Sequence, residues 1–189
     1  MKRPKIFILS GPSGAGKTTL LNKLFRKPQI HAKFIRAISI TTRKKRFNEK
    51  EGRDYFFTSK KNFLQLKRKK FFLESQRILD NYYGTPKFFY EQALKNSKHL
   101  ILCIDVKGGM YLKKKCKLGK IIALFIAAPS ELDLLERLKK RVEKKKTIEE
   151  RIKLAKKEME LSKDYDAVII NKDLRTCLHS LEKILLVNY

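Results

Sequence analysis

Ile6-Phe7-Ile8-Leu9-Ser10-Gly11-Pro12-Ser13-Gly14-Ala15-Gly16-Lys17-Thr18-Thr19-Leu20 decides how this chain folds. The apolar run 6–9 leads into a glycine-rich turn, and a helix-compatible segment, 19–25, leaves it. Residues 11–18 spell G-x-x-x-x-G-K-T, the phosphate-binding loop pattern, between the strand and the helix that the pattern requires. Gly11, Gly14 and Gly16 permit backbone angles that aim several N–H groups at one concave spot. The following helix adds unpaired N-terminal donors and the positive end of its dipole. Lys17 brings a full charge to the β- and γ-phosphates, and the Thr18 hydroxyl is placed to hold Mg²⁺. A glycine turn that binds nothing is the rival, and the flanking strand and helix tell against it. The stretch predicts a nucleoside triphosphate site.

The rest of the composition bounds the setting. At 189 residues and 42% hydrophobic, the chain suffices for one core with small inserted subdomains. No apolar run approaches the ~18 residues of a membrane span. Met1-Lys2-Arg3-Pro4 runs straight into the first expected strand, so no cleaved leader is expected. Cys103, Cys116 and Cys177 are odd in number and form no C-x-x-C pair, so a reducing, cytoplasmic setting is expected. His31, His99 and His179 lack metal-ligand spacing.

Charge is the unusual bulk property: 46 Lys+Arg against 19 Asp+Glu, formally +27. Such a field attracts polyanions and speeds encounters with nucleotides. The basic runs 67–70, 113–115 and 144–146 are spread along the chain, without a recognition helix or an aromatic stacking signature. They read as a lysine-rich solvated surface, and no specific nucleic acid is expected as a partner.

Taken in order, the first helix is expected from Lys17 to about Lys27, stopping before Pro28. An apolar stretch, 34–38, follows, and then Thr41, Thr42 and a basic cluster that suit a loop facing an anion. From about 36 to 89 the β/α rhythm is disturbed and reads as a small insertion. Short strands are expected at 55–57 and 71–73, a helical piece at 60–66, and a turn at 81–86 in which Thr85 caps a helix begun by Pro86. The rhythm resumes with 99–105, an apolar run ending in Asp105, which as a strand would deliver its carboxylate beside the first loop. Residues 121–126 read as a further strand, with Ser130 capping a helix that buries Leu132, Leu135 and Leu138. A basic excursion suits a lid over phosphates, and Thr147 with Glu150 forms a capping box for the next helix. A last strand, 167–171, precedes a helix capped by Asp173.

Several of these pieces, in order, resemble the guanylate kinase family over nearly the whole chain. They are the loop 11–18, Ser39-Ile40-Thr41-Thr42-Arg43 with Arg46, and Glu51-Gly52-Arg53-Asp54-Tyr55. Phe71-Phe72-Leu73-Glu74, Gly84 and Thr85, Asp105, Arg137 and Arg141, and Val168-Ile169-Ile170-Asn171 follow. The resemblance implies an α/β fold: a three-layer α/β/α P-loop core with a parallel sheet, a small inserted nucleotide-monophosphate-binding region and a short lid. The boundaries expected are 1–35 and 90–189 for the core, 36–89 for the GMP-binding insertion, and about 137–150 for the lid.

It implies phosphorylation of GMP and dGMP by Mg·ATP. Lys17, Arg43, Arg137 and Arg141 would be catalytic. ATP would lie on Gly11, Pro12, Ser13, Gly14, Ala15, Gly16, Lys17, Thr18 and Thr19, with Arg137 and Arg141 on its phosphates and Asn171 at its base. Arg151 resembles a further arginine of the same set. Arg43, Arg46, Tyr55 and Tyr83 would hold the GMP phosphate, Glu74 the guanine N1–H and amine, and Ser39 and Thr85 its carbonyl. Asp105 would serve GMP and, with Thr18, Mg²⁺. Two departures stand out: Cys103 replaces an acid common in the family, and Val142 replaces a usual glycine in a lid about one residue short. The other reading of the resemblance is a non-catalytic guanylate-kinase-like binding module, although Gly16, Lys17, Thr18 and Asp105 are intact. The expected assembly is a monomer or a homodimer.

Overall fold

The structure, a computed structural model, describes residues 3–140 and 145–188. Its centre is strand β1 (Ile6–Ser10), every residue of which is buried. The phosphate loop follows and delivers the chain to helix α1 (Lys17–Leu24). The first helix is shorter than the sequence predicts. Pro28, free of any N–H to satisfy, opens a second helix, α2 (Pro28–Lys33), rather than only closing the first. Strand β2 (Phe34–Arg36) comes next.

A second, four-stranded sheet occupies the disturbed stretch, in the order β4-β3-β6-β5. Its strands are β3 (Ile40–Thr41), β4 (Phe56–Phe57), β5 (Phe72–Ile78) and β6 (Asn81–Pro86), with helix α3 (Lys60–Arg68) between β4 and β5. Ser59 caps α3 by accepting from Asn62 N at 3.1 Å. Two expectations need correction here. Residues 81–86 are a strand paired with β5, and the turn lies just before it, where Leu79 takes φ 51°. Thr85 therefore caps nothing, and helix α4 (Phe88–Lys95) begins after Lys87. Thr41 is fully buried in β3 rather than in a loop, its hydroxyl donating to Tyr82 O at 3.0 Å.

The chain then returns to the main sheet through β7 (His99–Cys103), α5 (Val106–Lys115) and β8 (Ile121–Ala127). Helices α6 (Glu131–Lys139) and α7 (Lys145–Glu160), strand β9 (Ala167–Ile170) and helix α8 (Leu174–Val187) complete it. The main sheet is parallel throughout, in the order β2-β7-β1-β8-β9. Alternate side chains enter two different cores. Phe7, Leu9, Leu124 and Ile126 meet Leu20, Leu24, Leu181 and Leu185 of α1 and α8. Ile6, Ile8, Ala123 and Phe125 meet Phe89, Ala93, Val106 and Leu112 of α4 and α5. A sheet apolar on both faces must be covered on both, which is why these strands read as unbroken hydrophobic runs.

Ser130 caps α6, but the buried face is Leu134 and Leu138, while Leu132 is 72% exposed. Helix α7 already contains Thr147, so the expected capping box falls within its first turn. Asp173 caps α8 as its sequence suggests, accepting from Thr176 N at 2.8 Å.

Candidate active site

A cavity of about 920 Å³ opens at the carboxyl end of β1 and β7, between the phosphate loop and the second sheet. This is where a parallel sheet offers a crevice to ligands. One wall is the loop: Gly11, Ser13, Gly14, Gly16, Lys17, Thr18 and Thr19. Gly11 takes φ +134°, and a β-carbon there would lie 2.0 Å from Ile126 O, so only glycine fits. Lys17 Nζ folds over the loop and donates to Gly11 O and Pro12 O. Pro12 and Ala15 are buried and do not line the cavity.

The facing wall is basic and aromatic: Arg43, Arg46, Tyr55 and Tyr83. Arg43 is held firmly. Its Nη2 meets Glu49 Oε1 at 2.6 Å, its Nη1 donates to Lys44 O at 2.7 Å, and its guanidinium lies 5.5 Å from the Tyr55 ring centre. Burial opposes its charge, but the Glu49 hydrogen bond together with the charge interactions of Tyr83, Glu49 and Tyr55 outweighs it and raises its pKa. Glu49 also accepts from Arg46 N at 2.8 Å and faces Arg46 Nη1 at 3.6 Å, so one carboxylate aligns both arginines. Tyr55 and Tyr83 meet edge to face at 6.0 Å, which packs the two rings against each other on this wall.

Glu49 and Asp54 line the cavity beside the arginines, and Glu74, Asp105 and Glu158 line it between the walls. A register shift between Phe72 and Glu74 sets Glu74 opposite Thr85 in the β5–β6 pair. Glu74 is 4% exposed, and its Oε1 accepts from Thr85 Oγ1 at 2.8 Å. Its Oε2 is buried and has no hydrogen-bond partner. Burial, reinforced by the negative charge of Asp105, pushes its carboxyl up to about 8. Ser39 stands 3.3 Å from Thr85 Oγ1 and lines the cavity, while Thr85 is wholly buried behind it. Asp105 caps α5 through Gly108 N at 2.9 Å, and burial raises its pKa.

The residues expected at ATP divide. Arg151 lines the cavity and donates from Nη1 to Ser13 Oγ at 2.9 Å, which ties α7 to the phosphate loop. Arg137 and Asn171 lie elsewhere. Arg137 Nη2 donates to Asn171 O at 2.9 Å, and Asn171 Nδ2 donates to Ala15 O at 2.8 Å, so the pair braces the loop from behind. Arg141 lies outside the described residues. Of the expected lid, 137–139 belong to α6 and 145–150 to α7.

Sequence reasoning missed three features. Glu49 carried a usable signal, since it stands three residues after Arg46. Glu158, on α7, could not be told from the other acids of a charged helix; burial, opposed by Lys17, pushes it up to about 7. The third is a polar strap in which Arg36 Nη1 donates to Asn22 Oδ1 and Asn22 Nδ2 to Asp54 Oδ1 at 3.3 Å, tying α1 to the segment before β4. Cys103 also lines the cavity, and burial raises its thiol pKa. Among the described residues, no cluster of three His, Cys, Asp or Glu could hold a metal ion. One hydroxyl and one carboxylate, Thr18 and Asp105, suit an ion that takes its remaining ligands from phosphate and water.

Comparison with known proteins finds relatives along almost the whole chain. The family model described as guanylate kinase matches residues 3–187. The chain is 40% identical to a guanylate kinase of Wolbachia sp. subsp. Brugia malayi over 181 residues, covering 95% of this chain and 91% of that one. It is 39% identical to a guanylate kinase of Mycoplasma genitalium over 186 residues, with 98% and 76% covered. The crystal structure of guanylate kinase from Anaplasma phagocytophilum matches with a TM-score of 0.80 at 27% identity, over 99% of this chain and 87% of that one.

Proposed function

The chain belongs to the guanylate kinase family, and from that membership we infer that it transfers the γ-phosphoryl group of ATP to GMP, giving ADP and GDP. The observation that carries the reading is one cavity lined on one side by a phosphate loop and on the other by two arginines aligned on Glu49. Two polyanions must meet for the reaction to occur, and each wall neutralises one of them.

The attacking group is a phosphate oxygen of GMP, already ionised near neutral pH. It needs no general base, so catalysis rests on alignment and charge stabilisation. The loop amides and Lys17 hold the β- and γ-phosphates of ATP, with Arg151 reaching the same loop through Ser13. Arg43 and Arg46 accept the GMP phosphate in guanidinium forks, and the Tyr55 and Tyr83 hydroxyls add donors without further charge. Thr18 and Asp105 would hold Mg²⁺, which when bound supplies positive charge to the transferring group. Asn171 and Arg137 act from behind the loop by holding its shape, and Arg141 would serve the ATP phosphates.

Glu74 is the base reader. Its partnerless buried oxygen is an acceptor suited to guanine N1–H and the exocyclic amine. Adenine offers a lone pair in place of N1–H and would leave a buried acceptor facing an acceptor. Sites of this kind discriminate by roughly 10⁴-fold or more. Residues 36–89 would act as the GMP-binding unit, closing on a core of 1–35 and 90–189 under a lid of about 137–150. Closure would keep water from competing for the phosphoryl group. The same base contacts accept dGMP.

Among the described residues, no helix is long and apolar enough to cross a membrane. Three free cysteines support a reducing, cytoplasmic setting, with nucleotides as partners and the chain acting as a monomer or homodimer. The test is ADP release from Mg·ATP with GMP, dGMP, AMP, CMP, UMP and dTMP as acceptors. Turnover restricted to GMP and dGMP is expected, and equal turnover with AMP would sink the guanine assignment.

A further inference from the structure

Glu74 does not meet the cavity alone; its carboxylate packs against Gly108 in the first turn of α5. A β-carbon at position 108 would lie 2.8 Å from Glu74 Oε2 and 3.4 Å from Glu74 Cδ, with Asp105 Oδ2 at 3.2 Å. Glycine is not needed there for backbone shape. Gly108 lies within α5 and is absent from the positive-φ residues, so alanine would adopt its conformation readily and favour the helix. Helix propensity alone would therefore select against glycine at this position. What glycine provides is space, and the atom nearest to that space is Glu74 Oε2, the oxygen with no hydrogen-bond partner.

The two carboxylate oxygens are thus set by different neighbours. Thr85 Oγ1 fixes Oε1 at 2.8 Å, and the bare face of α5 at Gly108 leaves room for Oε2. An added methyl group would press on the end of a flexible side chain rather than on backbone, so Glu74 would turn aside while α5 stayed in place. We propose that Gly108 is a specificity-determining positioning residue: its missing side chain leaves the volume that lets Glu74 present its free oxygen to guanine. This rests on Glu74 reading the base, as argued above.

The experiment compares wild-type protein with G108A, E74A and the double variant. Steady-state kinetics would be measured with GMP and ATP varied separately, alongside thermal unfolding. For G108A the expected result is a KM for GMP raised tenfold or more, kcat and KM for ATP within about threefold, and an unfolding temperature not lowered. On the E74A background, where no carboxylate remains to displace, G108A should add less than twofold. A loss of stability, or a KM for ATP rising in step with that for GMP, would mark Gly108 as merely structural and overturn the proposal. So would an equal tenfold effect of G108A on both backgrounds. If E74A raises the KM for GMP while G108A leaves it unchanged, this inference fails alone. If E74A also leaves it unchanged, the reading of Glu74 fails and takes this inference with it.

Discussion

Glu49 Oε1 lies 2.6 Å from Arg43 Nη2, and the same carboxylate accepts from Arg46 N and faces Arg46 Nη1. Two guanidinium groups on one short loop repel each other, and a half-buried acid between them fixes both while cancelling part of that repulsion. Glu49→Gln keeps the shape and removes the charge. It is expected to lower kcat/KM for GMP roughly tenfold, which corresponds to about 1.4 kcal/mol. The KM for ATP should stay within twofold, and separate titration of the two substrates checks this. A parallel loss for ATP would mean that Glu49 supports the fold rather than the arginines.

Lys17 is the single full positive charge on the phosphate loop itself. Lys17→Ala should reduce kcat by roughly 10² to 10³, as removal of one preorganised charge does. Thermal stability should fall only slightly, because Nζ hydrogen-bonds the loop's own carbonyls, Gly11 O and Pro12 O, and its charge acts on Glu158 and Asp105, which burial already biases toward their neutral forms. Stopped-time assays of ADP and a melting curve, made on the same preparation, test both halves.

The acidity of Glu74 makes a pH prediction with a definite sign. Its carboxyl is pushed up to about 8 by burial and by Asp105. Reading guanine needs the ionised form, so kcat/KM for GMP should climb roughly fivefold to tenfold between about pH 7 and about pH 8.5. Stability moves the other way. Between the ordinary glutamate value and about 8, the folded protein keeps a proton that the unfolded chain has lost. Raising pH through that window therefore removes stability. Glu74→Gln should flatten both curves, and a wild-type profile already flat from pH 6 to 9 would contradict the assignment.

Asn171 braces the phosphate loop through Ala15 O and is buried. Asn171→Ala should raise the KM for ATP several-fold by loosening the loop, at a cost of about 1–3 kcal/mol for the unpaired carbonyl. An altered preference between ATP and GTP, with no change in stability, would instead assign Asn171 to the donor base.

What the sequence revealed and what it hid follow from the range of the interactions. The phosphate loop was legible because its chemistry is local: glycines, a lysine and a threonine at fixed spacing between a strand and a helix. Asp105 was legible because an apolar run that ends in an acid puts that acid at a strand's carboxyl edge. The 81–86 strand was misread as a turn because Gly84 and Pro86 punctuate it, and only pairing with β5 makes it a strand. Asn171 lies behind the loop through a bond spanning 156 residues, which no local pattern encodes. The partnership of Glu74 with Gly108 is likewise a meeting of two elements, β5 and α5, that spacing cannot foresee.

The most direct measurement follows the phosphorus. The protein would be mixed with Mg·ATP labelled at the γ-phosphate, with and without GMP, and the products separated. Label appearing in GDP, dependent on GMP and lost on Lys17→Ala, is the predicted result. Label released as inorganic phosphate at the same rate whether or not GMP is present would contradict the account.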